Sequence, residues 1–162
     1  MNSAKKYLLQ IYLLDVRLKT IDETITKLRA ELRSIDDISV RSSWPDGQPH
    51  GTITTDPTGN QAAKLADSYN RRRDELKEQL QRYEEDQIAK RSELWSKQLE
   101  VLEVLDKVTD PQCHRLLVLR YVRLSTWEYI AVELDKSYQW VAGPLHSKAL
   151  ELVEEIIKLN KN

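Results

Sequence analysis

Phenylalanine is absent from this sequence of 162 residues, methionine and cysteine occur once each, and there are only four glycines. With no Phe, few Gly and 31% of its residues charged, the chain suits long exposed helices better than a thick globular core. Cys113 stands alone, which excludes an internal disulfide and fits a reducing compartment. No apolar run reaches the ~18 residues that span a bilayer, so no membrane association is expected. An excess of one charge is missing too: a formal net charge of −1 gives no global attraction to nucleic acid or to an anionic surface. Two lysines followed by Tyr7 to Leu14 echo a secretory leader. Asp15 and Arg17 come next, however, and no small-residue cleavage site follows, so the segment reads as a helix of a cytoplasmic protein.

The chemistry-bearing patterns are equally sparse. There is no HExxH, no CxxC, no glycine-rich phosphate loop and no serine-nucleophile setting. His50, His114 and His146 fall in different elements, and Cys113 and His114, being adjacent, diverge by about 100° on a helix. The expectation is no enzyme, no metal and no cofactor, with Cys113 a small buried hydrophobe or an idle thiol.

What is present is helical periodicity. Ala4, Tyr7, Ile11, Leu14, Leu18, Ile21, Ile25, Leu28, Leu32 and Ile35 alternate spacings of three and four, a heptad seam that demands a partner helix. Leu8, Leu9, Tyr12, Leu13 and Val16 widen the apolar face of the first half, which should therefore meet more than one helix. From 36 to 60 the pattern stops, and Pro45, Gly47, Pro49, Gly51, Pro57 and Gly59 predict a loop. Trp44 in that loop can tuck against the coil or stand as an exposed contact. Periodicity returns from Gln61 to about Lys107: Ala62, Ala66, Tyr69, Leu76, Leu80 and Tyr83 share a seam interrupted by Arg73. The apolar set then shifts to Ile88, Trp95, Leu99, Leu102 and Leu105, which predicts a stutter in the supercoil. Arg71, Arg72 and Arg73 read as part of a solvated charged face, with phosphate contact as the sharper alternative.

The last third is the most informative. Asp110-Pro111 predicts an N-cap with proline at the first helical position, ahead of Leu116, Leu117, Leu119 and Val122. After a break at Arg123-Leu124, Ser125-Thr126-Trp127-Glu128 reads as a capping box with Ser125 as the cap. Ile130, Ala131 and Leu134 line that short helix, Asp135-Lys136 makes a turn, and Ser137 caps a second helix carrying Val141, Leu145, Ala149, Leu152 and Ile156. Two capped helices around a tight turn describe a helix-turn-helix. The expected fold is all-α: an antiparallel coiled-coil hairpin over 1–108 with its loop at 36–60, then a helix-turn-helix domain over 109–162.

Arg120-Tyr121, Trp127-Glu128-Tyr129-Ile130-Ala131, Leu134, Ser137, Trp140-Val141, Leu145-His146 and Ala149-Leu150 resemble the region-four helix-turn-helix of bacterial sigma factors. More closely, the chain resembles the ArpU-like and RinA-like late transcription regulators encoded by prophages of Gram-positive bacteria. That family tends to open with a long helix patterned like Tyr7-Leu8 and Leu14-Asp15 here, and to continue through a variable loop, a charged coil and an Asp-Pro junction. The resemblance implies a phage-encoded regulator of late or packaging genes that binds double-stranded DNA in the cytoplasm of the host. It also implies that the start of the second helix, Ser137, Tyr138, Gln139 and Trp140, meets base edges and phosphates, with Thr126, Lys136, His146 and Lys148 as backbone contacts.

One departure qualifies this. Where the family usually carries polar or basic residues, this chain has Ala142-Gly143-Pro144, which predicts a kink, or an end and restart of the helix at Pro144. Residues 110–162 hold seven Lys/Arg and seven Asp/Glu, so the domain lacks the cationic surplus that dominates DNA affinity. A second function therefore stays open, a protein-interaction module whose degenerate helix-turn-helix binds a host or phage protein such as polymerase or a repressor. A homodimer is expected under either, because the two seams offer more apolar surface than one hairpin covers.

Overall fold

The computed structural model describes residues 3–42 and 57–160, and over these the chain is all-α. Helix α1 spans Ser3–Ser42 and α2 spans Pro57–Leu105, packed together as the long hairpin that the heptad spacing predicts. Both run further toward each other than expected. Residues 36–42 contain no glycine or proline, so nothing there ends α1. Pro57 opens α2, where its missing N–H is one that a helix start leaves unbonded anyway. Gly59 falls in that first turn, and Trp44 lies outside the described residues.

Six shorter helical pieces follow among the described residues: α3 (Pro111–Leu117), a π-helical turn (Val118–Val122), α4 (Trp127–Glu133), α5 (Tyr138–Trp140), a second π-helical turn (Val141–Leu145) and α6 (His146–Leu159). Packing divides the molecule inside the long helices rather than at the Asp-Pro junction. One unit joins Met1–Lys19 to Ala89–Asn162, and the other is Thr20–Ile88.

In the second unit Ile21, Ile25, Leu28, Ile35 and Leu76 are buried, with Leu32, Tyr69 and Leu80 packed around the last three. Arg29–Glu84 and Arg72–Glu31 tie the two helices with ion pairs at 2.7 Å, and Gln87 donates to the Asp22 carboxylate across the seam. Arg72 also reaches Glu75 at 3.6 Å, so this arginine of the 71–73 cluster is engaged within the hairpin. Arg73 is half-buried, and its Nε is enclosed without a hydrogen-bond partner among the described residues.

In the first unit Ala4, Leu8 and Ile11 of α1 and Val101 and Leu105 of α2 share one core with Cys113, Leu116, Leu117, Ile130, Val141 and Val153. The ends of the long helices are thus part of the helix-turn-helix core. The Ala4 N–H donates to Glu154 at 2.8 Å and the Tyr7 hydroxyl to Glu100 at 2.9 Å. The wide apolar face of α1 is only half used: Leu8 is buried and Leu9 packs on the core, whereas Tyr12, Leu13 and Val16 are exposed.

The predicted stutter in α2 is absent. The inward residues Leu80, Gln87, Leu94 and Val101 recur every seven positions, while Ile88, Trp95 and Leu99 stand exposed. Apolar identity misled here because Gln87, a polar residue, holds the seam position and satisfies itself on Asp22.

Candidate nucleic-acid interface

The helix-turn-helix begins at Asp110, whose carboxylate accepts from the N–H groups of Gln112 (2.9 Å) and Cys113 (3.1 Å), with Pro111 at the first helical position. Lys148 of α6 donates to the same carboxylate at 2.5 Å. The Lys148 hydrogen bond, followed by the backbone bonds, holds the Asp110 carboxyl down to about 2. Lys148, expected on the DNA backbone, is therefore occupied in joining α6 to the start of α3.

The chain leaves α3 through the first π turn, where the Arg123 N–H bonds Val118 at 2.9 Å, five residues back. Leu124 then adopts a left-handed conformation (φ 56°), which makes the break expected at Arg123-Leu124. Arg120 holds this corner: its guanidinium donates to the Ser125 carbonyl at 2.9 Å and lies 4.6 Å from the centre of the Trp127 ring. The cap of α4 is Thr126, not Ser125. The Thr126 hydroxyl accepts from the Tyr129 N–H at 3.3 Å, and its extended backbone (φ −72°, ψ 159°) is the cap geometry. Two adjacent hydroxyls made the sequence ambiguous by one residue.

Between α4 and α5 the turn falls where expected. Asp135 is left-handed (φ 52°), Lys136 N–H bonds Ala131 at 3.0 Å, and the Ser137 hydroxyl accepts from the Trp140 N–H at 3.3 Å. The second helix neither ends nor restarts at Pro144. Trp140 and His146 both keep right-handed helical backbone, and Val141–Leu145 form a widened turn closed by the His146 N–H onto Val141 and Gly143. Proline removes the donor of an ordinary helical turn, and a five-residue π turn carries the helix past that gap. Gly143 has open space where a β-carbon would stand.

These elements sort the predicted site residues. Lys136, Ser137, Tyr138 and Gln139 are exposed together at the turn and the start of the second helix. Thr126 is exposed, though its hydroxyl is engaged in capping. Trp140 is half-buried against the core, with the Lys136 ammonium 5.9 Å from its ring centre. His146 is a correction: it is 9% exposed, hydrogen-bonded through Nε2 to the Tyr121 hydroxyl at 2.8 Å, and met edge-on by Trp127 with ring centres 4.9 Å apart. Its ring lies in the core with Tyr121 and Trp127, beside the buried Leu145 and Ala149 of the same helical stretch. Val141 and Leu145 face inward beside Ile130 and Ala131, as the spacing predicts.

Arg123, passed over as part of a break, is exposed beside a groove of about 450 Å³ that Arg115, His114 and Glu133 also line. Its position between two helices was the available signal, since corner residues are freed from packing. Arg115 is paired with Glu133 and His114 lies 3.5 Å from Asp106. Among the described residues no group of three His, Cys, Asp or Glu could hold a metal ion, and no helix is long and apolar enough to cross a membrane. Comparison with family models, with curated proteins and with solved structures finds no match to this chain.

Proposed function

We propose that this chain is a DNA-binding transcription regulator of the prophage late-gene type, reading double-stranded DNA in the host cytoplasm through the start of its second helix. The observation that carries the reading is the exposed run Lys136-Ser137-Tyr138-Gln139, presented at the turn between two capped helices over a common core. A helix start of this kind fits the major groove. There the Gln139 amide matches the N6/N7 edge of adenine, and Tyr138 and Ser137 reach phosphates. Lys136 and the exposed Arg123 supply backbone charge. The test is fluorescence anisotropy on duplexes from the region flanking the gene and from the late promoter region, across a salt series. Gln139→Ala should weaken specific binding by ~1–3 kcal/mol, and Lys136→Gln should lower the salt slope by about one unit. Absence of binding even at low salt would overturn the reading.

A second reading has its own observation. Val132 is 82% exposed on α4, with Tyr129 53% exposed on the same helix, and the aliphatic Val132 side chain has no group for phosphate contact. This favours a protein-interaction module in which α4 docks a host or phage protein. Loss of a partner on Val132→Asp, with DNA affinity unchanged, would support it.

A further inference from the structure

The heptad seam of α1 is filled within the chain, and the apolar surface expected to be left over for a second copy is found on one part of the hairpin. Trp95 is 65% exposed, Tyr12 49% and Leu99 46%, all in the unit that carries the helix-turn-helix. Their level on the two helices is fixed by Tyr7, whose hydroxyl donates to Glu100 and whose ring lies 5.1 Å from the Lys97 ammonium. Because the helices are antiparallel, five residues onward from Tyr7 is Tyr12, level with Trp95, five residues back from Glu100. The side is fixed by the seam. Tyr12 follows the buried Ile11 by one residue, and Trp95 follows Leu94, which packs on the core. One residue is a turn of about 100°. In an antiparallel pair that rotation brings both side chains to the same side of the hairpin, and Leu99 stands one turn from Trp95. Leu13 precedes the buried Leu14 instead, so it turns to the opposite side.

We propose that this face, centred on Trp95, Tyr12 and Leu99, is the surface through which two copies of the chain associate about a two-fold axis. On this side of the hairpin Asp15 is matched by Lys19 at 2.7 Å, while the pairs Lys90–Glu93 and Lys97–Glu100 lie on the side of Leu13, because Glu93 and Glu100 each precede an inward residue. The size of the face selects a second copy. The exposed parts of the three side chains amount to on the order of 400 Å². A standard interface takes about 800 Å² from each partner, of which roughly 57%, or about 450 Å², is apolar. A two-fold interface is self-complementary, so one apolar face suffices. The assignment does not depend on what the helix-turn-helix binds.

Sedimentation velocity of the full chain at tens of micromolar should give twice the 19.0 kDa mass of the chain. Trp95→Asp combined with Leu99→Asp should return it to monomer with an unchanged circular-dichroism spectrum, while Leu13→Asp should remain dimeric. A second measurement covers poor folding of the acidic variants. Trp95→Cys should form disulfide-linked dimers under mild oxidation and Leu13→Cys should not, with the buried Cys113 silent in both. A monomeric unmutated chain, a dimer indifferent to the double substitution, a crosslink only at Leu13→Cys, or a monomer that captures a different protein through Trp95 would each overturn the proposal.

Discussion

His146 is neutral at ordinary pH. Burial, with the positive charges of Lys5 and Arg120 adding to it, pushes its imidazole down to about 4 from the usual 6.5. The unfolded chain therefore binds this proton more readily than the folded one. Stability is complete above the unfolded value and falls as pH drops from about 6.5 toward 4, by up to ~3 kcal/mol in total. Asp110 acts in the same direction in a lower window, below its ordinary value of 3.8 and toward about 2, as its bonds to Lys148 and the α3 amides are lost. Urea melts at pH 7 and pH 5 should show the unmutated chain losing stability. A variant without the imidazole, His146→Gln, should flatten that pH slope even if it is weaker overall. An equal slope in both would mean His146 is protonated in the fold. None of this was visible in the sequence, because Tyr121, the hydrogen-bond partner of His146, is 25 residues away and only the tertiary fold joins them.

The helix ends show the opposite case. Asp110, Pro111, Ser137 and the break before α4 were legible because a cap acts on amides two or three residues along its own chain. Ser137→Ala should therefore cost ~1 kcal/mol in the helix-turn-helix, read from a thermal melt. Asp135 is a sharper test of the turn. Its left-handed backbone suits glycine and tolerates aspartate, so Asp135→Gly should be neutral or stabilising. The β-branched Asp135→Val should lose about 1–2 kcal/mol. Equal melting temperatures for the two would show that the turn is not held in this conformation. The seam of α1 was legible for a related reason: its ten apolar residues are all buried or half-buried, and Leu28→Asp should destabilise strongly because it buries an unpaired carboxylate. In α2 the rule failed. Trp95 and Leu99 are apolar and outside, Gln87 is polar and inside, and only the partner helix decides which residues are inward.

For the molecule as a whole the deciding quantity is charge. The net charge is −1, and the exposed start of the second helix carries Lys136 as its only cation. A DNA reader built this way depends on side-chain matching at Gln139 and on engaging two sites at once, since phosphate attraction supplies little. Gly143 and Pro144 give a direct way to change that balance. Gly143 has open space at its β-carbon and Pro144 is exposed, so arginine fits at both positions. Gly143→Arg with Pro144→Arg would take the formal charge from −1 to +1, two added cations, and would restore better helix formers across the widened turn. If the helix start lies in a major groove, each new phosphate contact should steepen the dependence of log affinity on log salt by about 0.9, and binding at low salt should tighten. If instead the face docks a protein shaped to the bare turn, the same pair should weaken that complex and leave DNA binding undetectable. The two ligands respond with opposite signs, so anisotropy on DNA and a pull-down on the same double variant separate the readings. We expect the salt slope to steepen and Gln139→Ala to remove the sequence preference in both the parent and the arginine variant, because Gln139 reads the bases while the added arginines contact only phosphates.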